Sequence, residues 1–370
     1  MFKYNYISNK LMDEIIKMPP DSKLPSRTEL CEKFGVTRST IDKAISELVS
    51  KGYLHSVKGS GTFVTPESKI SVLNEDAGPL TWGVIMPDIM YGVYTAILRG
   101  VSDIANANNI SVLIFNTDND AKRQHDYVKM LVDLGANGII IIPAITDEFI
   151  SDTYKLLNEN NIPFVFCNRN VETMPNIPFV SNNNFYGGYI GTKHLISNGY
   201  QKIGFIAKKR YSSMLERYYG YVAAMLENNL PIPTKFIVMG YEDNEGNGDY
   251  EVSRKMFEHD DHPDAVFCAL EEMVSHLYHA LDDLHLKISD DVGIISYDSS
   301  NICETLNPRL TAVSFQSYQA GYQSAHILLD LMAGTVKHVN DSSLFILQPG
   351  IDVRQSCLGK KSKDEMIKNR

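Results

Sequence analysis

Residues 24–64 read LPSRTELCEKFGVTRSTIDKAISELVSKGYLHSVKGSGTFV, and this stretch decides the fold of the N-terminal part of the chain. Its pattern is helix, turn, helix, then a glycine-tipped hairpin. Ser26 caps a first helix, and Glu29, three residues on, completes a capping box. Leu30 and Phe34 fall on one face of that helix, and Gly35 ends it as a left-handed cap. Thr37 is a cap for the second helix, in which Ile41, Ala44, Ile45, Leu48 and Val49 form an apolar stripe. The opposite face then shows Arg38, Ser39, Asp42 and Lys43. Gly52 stops this helix. Tyr53, Leu54 and Val57 lead through Lys58-Gly59-Ser60-Gly61 into Thr62, Phe63 and Val64, a hairpin signal. An earlier segment with Ile7, Leu11, Ile15 and Ile16 supplies a packing helix. Three helices and a hairpin make an α+β winged helix, a module that places one helix in a DNA groove. Gly59-Ser60-Gly61-Thr62 taken alone suggests a phosphate-cradling loop. That reading loses because a returning strand follows the loop where a helix is required.

LPSRTEL, FGVTRSTI and KGYLHSVKGSGTFV together resemble the GntR-type winged helix of bacterial regulators, and they cover nearly the whole module. The resemblance implies DNA contacts from Arg27 and from Thr37, Arg38, Ser39 and Thr40. It also implies a wing tip, Lys58-Gly59-Ser60-Gly61, against the minor groove or backbone. Lys43 joins this set as an outward cation on the same helix. The chain departs from the pattern at Asp42, where several relatives carry an arginine that reads guanine. A carboxylate cannot donate to guanine; it accepts from cytosine N4 or repels phosphate.

The chain has 370 residues, a soft prior of two or three domains. No run of about 18 apolar residues occurs, which argues against a membrane span. The N-terminus is polar, without the pattern of a secretory signal. The five cysteines, Cys31, Cys167, Cys268, Cys303 and Cys357, lack pairing or metal spacing and read as reduced thiols of a cytoplasmic protein. Net charge is −10, yet residues 1–65 hold ten Lys/Arg against seven Asp/Glu, so the module is +3 and the remainder −13. Local charge governs docking on a polyanion. A +3 module binds weakly alone, so a homodimer is expected.

Residues 66–80 read as a linker. From Thr81 onward short apolar runs alternate with amphipathic helices. TWGVIMP, ISVLIFNT, NGIIIIPA and IPFVFCN are strands in a first series, and QKIGFIA, AVFCAL and VGIISYD in a second. Runs such as GIIIIP between helices argue for parallel sheets buried on both faces. Two such series predict two lobes with a cleft between them, and ligands of such sheets sit beyond the carboxyl ends of the strands. The tail from Gly359 reads as disordered.

MPDIMYGVYTAILRGVSDIA, FNTDND, NRN, GGYIGTKHLISNGYQKIGFI, RYYGYVAAMLE, VGIISYD and NPRLTAV resemble the effector domain of the lactose/galactose repressor family, itself similar to periplasmic sugar-binding proteins. The likeness covers residues 81–358 and implies an α/β two-lobed periplasmic-binding-protein-like domain with parallel sheets. It places about 81–177 and 313–338 in the first lobe and the rest in the second. It implies ligand contacts from Arg217 and Asp298, from Arg169 after the FVFCN strand, and from Tyr91, Tyr94 and Asp118 at first-lobe strand ends. The chain has Leu270-Glu271 where members usually have Asn-Asp, and Phe315 where they usually have glutamine. Glu271 is therefore expected to replace the missing acceptor, and Phe315 to stack on an apolar sugar face.

Other features read as bland. His259-Asp260-Asp261-His262 lies on one loop, where neighbours rarely converge on one ion. His276 and His279 share a helix face but read as surface histidines. Lys208-Lys209-Arg210 reads as a solvated loop. No metal and no cofactor are expected, and no Ser/His/Asp or Gly-rich catalytic constellation is present. The partners expected are a double-stranded DNA operator and a small-molecule effector, a monosaccharide. A sugar receptor or an enzyme fits worse, the former for want of an export signal, the latter for want of catalytic residues.

Overall fold

The computed structural model describes residues 22–50, 53–57, 60–65, 80–145, 152–208, 212–241, 247–334 and 344–359, together with Ile7, Lys10, Leu11, Glu14, Ile15 and Met18. The chain forms two compact units, Met1–Leu80 with Leu329–Lys337, and Thr81–Leu328 with His338–Arg370. The linker segment 66–79 and the tail 360–370 lie outside the described residues.

The first unit is built as its sequence dictates. Helix α1 is Arg27–Phe34 and α2 is Arg38–Ser50. Both halves of the capping box form: Glu29 N–H donates to Ser26 Oγ at 3.3 Å, and Ser26 N–H to Glu29 Oε2 at 2.6 Å. Gly35 takes φ 62° and donates its N–H to the Cys31 carbonyl, a left-handed conformation that residues with a β-carbon adopt only at a cost. Strands β1 (Leu54–Val57) and β2 (Gly61–Val64) pair antiparallel, Leu54 opposite Val64 and Val57 opposite Gly61. The apolar stripe of α2, namely Ile41, Ala44, Ile45 and Leu48, is buried on Leu30, Leu54 and Val64. Ile7, Leu11 and Ile15 are helical and join this core, whereas Ile16 lies outside the described residues.

The second unit holds two six-stranded sheets. The first contains β3 (Thr81–Met86), β4 (Ser111–Asn116), β5 (Gly138–Ile141), β6 (Phe164–Cys167), β7 (Phe179–Asn182) and β13 (Leu344–Leu347), in the order β13-β7-β6-β5-β3-β4. The second contains β8 (Ile203–Ala207), β9 (Ile237–Met239), β10 (Ala265–Cys268), β11 (Gly293–Tyr297), β12 (Thr311–Ser314) and β14 (Gly350–Asp352), in the order β14-β12-β11-β10-β8-β9. Pairing is parallel throughout except for β14 against β12. Every residue of β5, β6, β8, β10 and β11 is buried, the signature of strands covered on both faces.

Lobe boundaries differ from the expected ones. The first lobe runs on through β7 to Asn182, beyond residue 177, and also takes β13. Strand β12, which the expected boundary at 313 cuts, lies wholly in the second sheet. The chain therefore crosses between sheets near Asn183, near Phe315 and near Gln348. Two of these crossings touch: Asn183 N–H donates to the Leu347 carbonyl at 2.9 Å, and Asn183 Nδ2 to Gln348 Oε1 at 3.3 Å. Strands of the two sheets carry the same apolar pattern, so pattern alone does not tell β12 from a first-lobe strand.

Glycines set the helices that carry the site. Helix α6 (Asn184–Ser197) crosses α7 (Ser212–Glu227) where a β-carbon on Gly188 would lie 2.0 Å from the Arg217 carbonyl oxygen, and one on Gly220 1.9 Å from that of Phe185. In the first lobe α3 (Gly92–Ala107) meets α11 (Ser317–Met332) through Gly100 and Gly321 in the same way. No helix among the described residues is long and apolar enough to cross a membrane.

Candidate ligand cleft and nucleic-acid interface

Strand ends from both sheets converge on one cleft of about 310 Å³, near the lower end of the range of about 300–1,000 Å³ usual for small-molecule sites. Asp88, Tyr91, Tyr94, Asp118, Asn119, Asn168 and Arg169 line it from the first lobe. Ser213, Met214, Arg217, Leu270, Glu272 and Asp298 line it from the second. Four of these, Asp118, Asn119, Asn168 and Asp298, have positive φ, between 51° and 74°. Non-glycine residues adopt that region at a cost, and strain of this kind gathers at binding sites. Here it turns side chains at the strand ends toward the cleft.

Asp298 is the centre of the polar network. It follows β11, is 3% exposed, and accepts from Tyr91 Oη at 2.8 Å. Burial holds its carboxyl above the usual aspartate range, while the Arg217 guanidinium and the Tyr91 hydroxyl pull it back down. Burial, then the charges of Asp298 and Glu271, push the Tyr91 phenol well above its ordinary range, so it remains a donor. Since Tyr91 precedes α3 in the first lobe, this hydrogen bond joins the lobes. Arg217, on α7 and 4% exposed, is fixed on three sides. Nε donates to Asn184 Oδ1 at 3.0 Å, Nη1 donates to the Ala269 carbonyl at 2.5 Å, and the guanidinium lies 3.4 Å from the Tyr297 ring centre. Across the cleft Arg169 donates to Asn119 Oδ1 at 2.8 Å and lies 5.9 Å from the Tyr94 ring centre. Asp118 is tied to Asn116 and Arg123. The site thus offers fixed donors, fixed acceptors and one aromatic wall, the set needed to bind a small polyol by charge-assisted hydrogen bonds.

On the first unit, Arg38, Ser39 and Lys43 are exposed on the outer face of α2. Thr37 Oγ1 lies 3.1 Å from Ser39 Oγ and 3.0 Å from Thr40 Oγ1, a hydroxyl cluster at the helix entry. Arg27 is tied down more firmly than an outward reader: Nη1 donates to Thr62 Oγ1 at 2.7 Å and Nε lies 3.4 Å from Asp42 Oδ1. Ser60 is exposed beside β2, and Lys58 and Gly59 lie outside the described residues. Lys23, Arg27, Lys33, Arg38 and Ser60 border one open groove between α1 and the hairpin.

Residues 3–64 match the model of the gntR family of bacterial regulatory proteins, and residues 192–357 match that of the periplasmic binding protein-like domain. The chain joins a gntR-family DNA-binding domain to a periplasmic-binding-protein-like domain. Over 363 residues it is 26% identical to the arabinose metabolism transcriptional repressor of Geobacillus stearothermophilus, across 96% of this chain and 97% of that one. The crystal structure of the transcription regulator CcpA of Lactococcus lactis resembles it with a TM-score of 0.66 at 25% identity, over 76% of this chain and 100% of the other. A LacI family transcriptional regulator from Enterococcus faecium, solved with bound ribose, gives 0.64 at 24% identity, over 75% and 98%. At that identity the likeness is one of fold.

Within the binding-protein-like domain, six of the eight expected ligand residues meet in the cleft: Tyr91, Tyr94, Asp118, Arg169, Arg217 and Asp298. Glu271 and Phe315 do not. Glu271 is 2% exposed and turned inward, where it accepts from Ser300 N–H at 2.9 Å and sits 3.5 Å from Cys303 Sγ; its neighbour Glu272 lines the cleft instead. The chain turns after β10, and that turn decides which of two adjacent glutamates faces the cleft. Phe315 lines a separate cavity of about 870 Å³ with Met90, Gly92 and Tyr318, so the expected stacking role has no support in its position. Asp88, Asn119 and Asn168 are additions. Asn119 and Asn168 adjoin Asp118 and Arg169, and Asp88 directly follows the apolar run TWGVIMP. Lys208, expected in solvent, instead lies 3.3 Å from the buried Asp249, which also accepts from Tyr241 Oη at 2.6 Å. Lys209 and Arg210 lie outside the described residues.

Proposed function

We propose that this chain is a ligand-responsive transcriptional repressor of carbohydrate-use genes, acting as a cytoplasmic homodimer without catalysis. The observation that carries the reading is the convergence of Asp298, Arg217, Arg169 and Tyr94 in one interlobe cleft of a chain that also bears an exposed basic helix face on a gntR-family domain. Residues 1–65 are the DNA-binding domain, 66–80 a linker, 81–358 the effector domain and 359–370 a tail. Arg38, Ser39 and Lys43 meet base edges or phosphates, with Thr37, Thr40, Arg27 and the wing at Lys58-Gly59-Ser60 alongside. A monosaccharide lies between the lobes, its hydroxyls donating to Asp298 and Glu272 and accepting from Arg217 and Arg169. Its apolar face rests on Tyr94. Ligand and DNA are coupled because the sugar binds the closed arrangement of the lobes more tightly. Such coupling is typically about 1–3 kcal/mol.

The test uses two variants of the full chain. Arg38→Ala weakens sequence-selective DNA binding and leaves sugar affinity intact. Arg217→Ala removes the sugar response and keeps DNA binding. Equal DNA affinity in the first variant, or unchanged release by sugar in the second, would remove the corresponding assignment.

A further inference from the structure

One carboxylate on the outer face of the winged helix is unexplained by the reading above, on which this inference rests. Asp42 stands where an arginine would be expected to read a base, and it is surrounded by cations. Arg27 Nε lies 3.4 Å from Oδ1, and Arg38 Nε lies 3.8 Å from Oδ2, one helical turn before it. The two arginines are not equivalent. Arg27 is 29% exposed and its Nη1 is taken by Thr62 Oγ1, which is itself 3.3 Å from Ser56 Oγ on the facing strand. Thr62 is 2% exposed. Arg27 thus clamps α1, α2 and the hairpin together. Arg38 is 79% exposed.

We infer that Asp42 is a positioning residue for DNA recognition: anchored by the Arg27–Thr62 clamp, its carboxylate attracts the Arg38 guanidinium from the Nε side and so biases its outer edge toward the duplex. A guanidinium presents donors in a rigid planar fork, and a carboxylate on its Nε side leaves the two Nη groups free to pair with guanine O6 and N7. Asp42 does not itself read a base. It also subtracts one charge from the face that meets phosphates, which lowers affinity for arbitrary sequence. Both effects raise the ratio of selective to unselective binding. An exposed ion pair adds little to folding, so this role is separable from stability.

The experiment uses the full-length chain and two duplexes. One is the sequence enriched by the wild type from a randomised library; the other has the enriched positions shuffled. Fluorescence anisotropy is measured across a salt series for wild type, Asp42→Asn, Arg38→Ala and the double variant. Asp42→Asn should weaken binding to the enriched duplex and hold or tighten binding to the shuffled one. The ratio should fall about tenfold, within the range for loss of one bidentate base contact. The salt slope should steepen by about 0.9 for each phosphate Arg38 gains. Melting temperature should be unchanged, and Asp42→Asn should change the ratio less than twofold in the Arg38→Ala background. An unchanged ratio in the single variant overturns the inference, and so does a loss confined to one base pair that persists without Arg38, which makes Asp42 the reader. A wild type that enriches no sequence removes the DNA-binding reading and this inference with it.

Discussion

Tyr91→Phe deletes one oxygen and with it the hydrogen bond that joins the lobes at the floor of the cleft. The lost bond is 2.8 Å long and ends on a carboxylate that is 3% exposed, so no solvent replaces the donor without opening the site. Hydrogen bonds to a charged group contribute about 1.5–3 kcal/mol, and those between neutral groups about 0.5–1.5. At a pH above its raised titration range, where Asp298 is ionised, the variant should therefore lose about 1.5–3 kcal/mol in urea unfolding. Asp298 titrates above its usual range because burial disfavours its charge. Lowering the pH through that raised range neutralises it, and the cost of the substitution should shrink toward the neutral value of about 0.5–1.5 kcal/mol. Removing the Tyr91 donor also removes a contribution that lowers the Asp298 pKa, so the variant's carboxyl should titrate higher still. Small-angle scattering should show a larger radius of gyration if the lobes separate. A loss below about 0.5 kcal/mol with Asp298 ionised, or an equal loss above and below its titration, would refute the argument that this contact is a charged bridge between lobes.

Further expectations concern the same network and its supports. Asp298 has a folded-state pKa above the unfolded value, so below the unfolded value it contributes nothing, and as pH rises toward the folded value it increasingly opposes folding. Asp298→Asn should therefore gain stability relative to the wild type as pH rises from the ordinary aspartate range toward the raised folded-state value, read by melting temperature, while sugar-induced stabilisation disappears. A falling difference over that window would show that the Arg217 attraction outweighs burial. Gly188→Ala forces a β-carbon against the Arg217 carbonyl and should cost at least about 1–3 kcal/mol and disturb sugar binding with it. An alanine variant as stable as the wild type would mean that α6 and α7 shift freely. Glu272→Gln should weaken sugar binding, by calorimetry, whereas Glu271→Gln should chiefly affect stability, because Glu271 is buried on Ser300 and Cys303. The opposite pattern would restore Glu271 as the ligand acceptor.

Much of this molecule is legible in its sequence, for identifiable reasons. The capping box at Ser26 and Glu29, the left-handed Gly35 and the stripe from Ile41 to Leu48 are local rules, and local rules survive into the fold. Tyr91, Asp118, Arg169, Arg217 and Asp298 follow from the resemblance to the lactose/galactose repressor family, and the fold brings them to one cleft. What escaped depends on geometry beyond a few residues. Choosing between Glu271 and Glu272 requires the path of the chain after β10. Assigning β12 to a lobe requires knowing which sheet edge is open, since β7, β12 and the central strands share one apolar pattern. The role of Asp42 was ambiguous because its partner Arg27 lies 15 residues away on another helix. Short strands at the edges, β9, β13 and β14, carry too few residues for periodicity to register.

Ligand-responsive repression requires that filling the cleft change the grip on DNA. The direct measurement is the dissociation constant of the full-length chain for its enriched duplex, with and without a saturating monosaccharide identified by thermal shift. The expected result is a weakening of about 5–150-fold, and, by reciprocity, the same factor in sugar affinity when DNA is saturating. A sugar that binds tightly and leaves the DNA affinity unchanged, in either direction of the experiment, would contradict it.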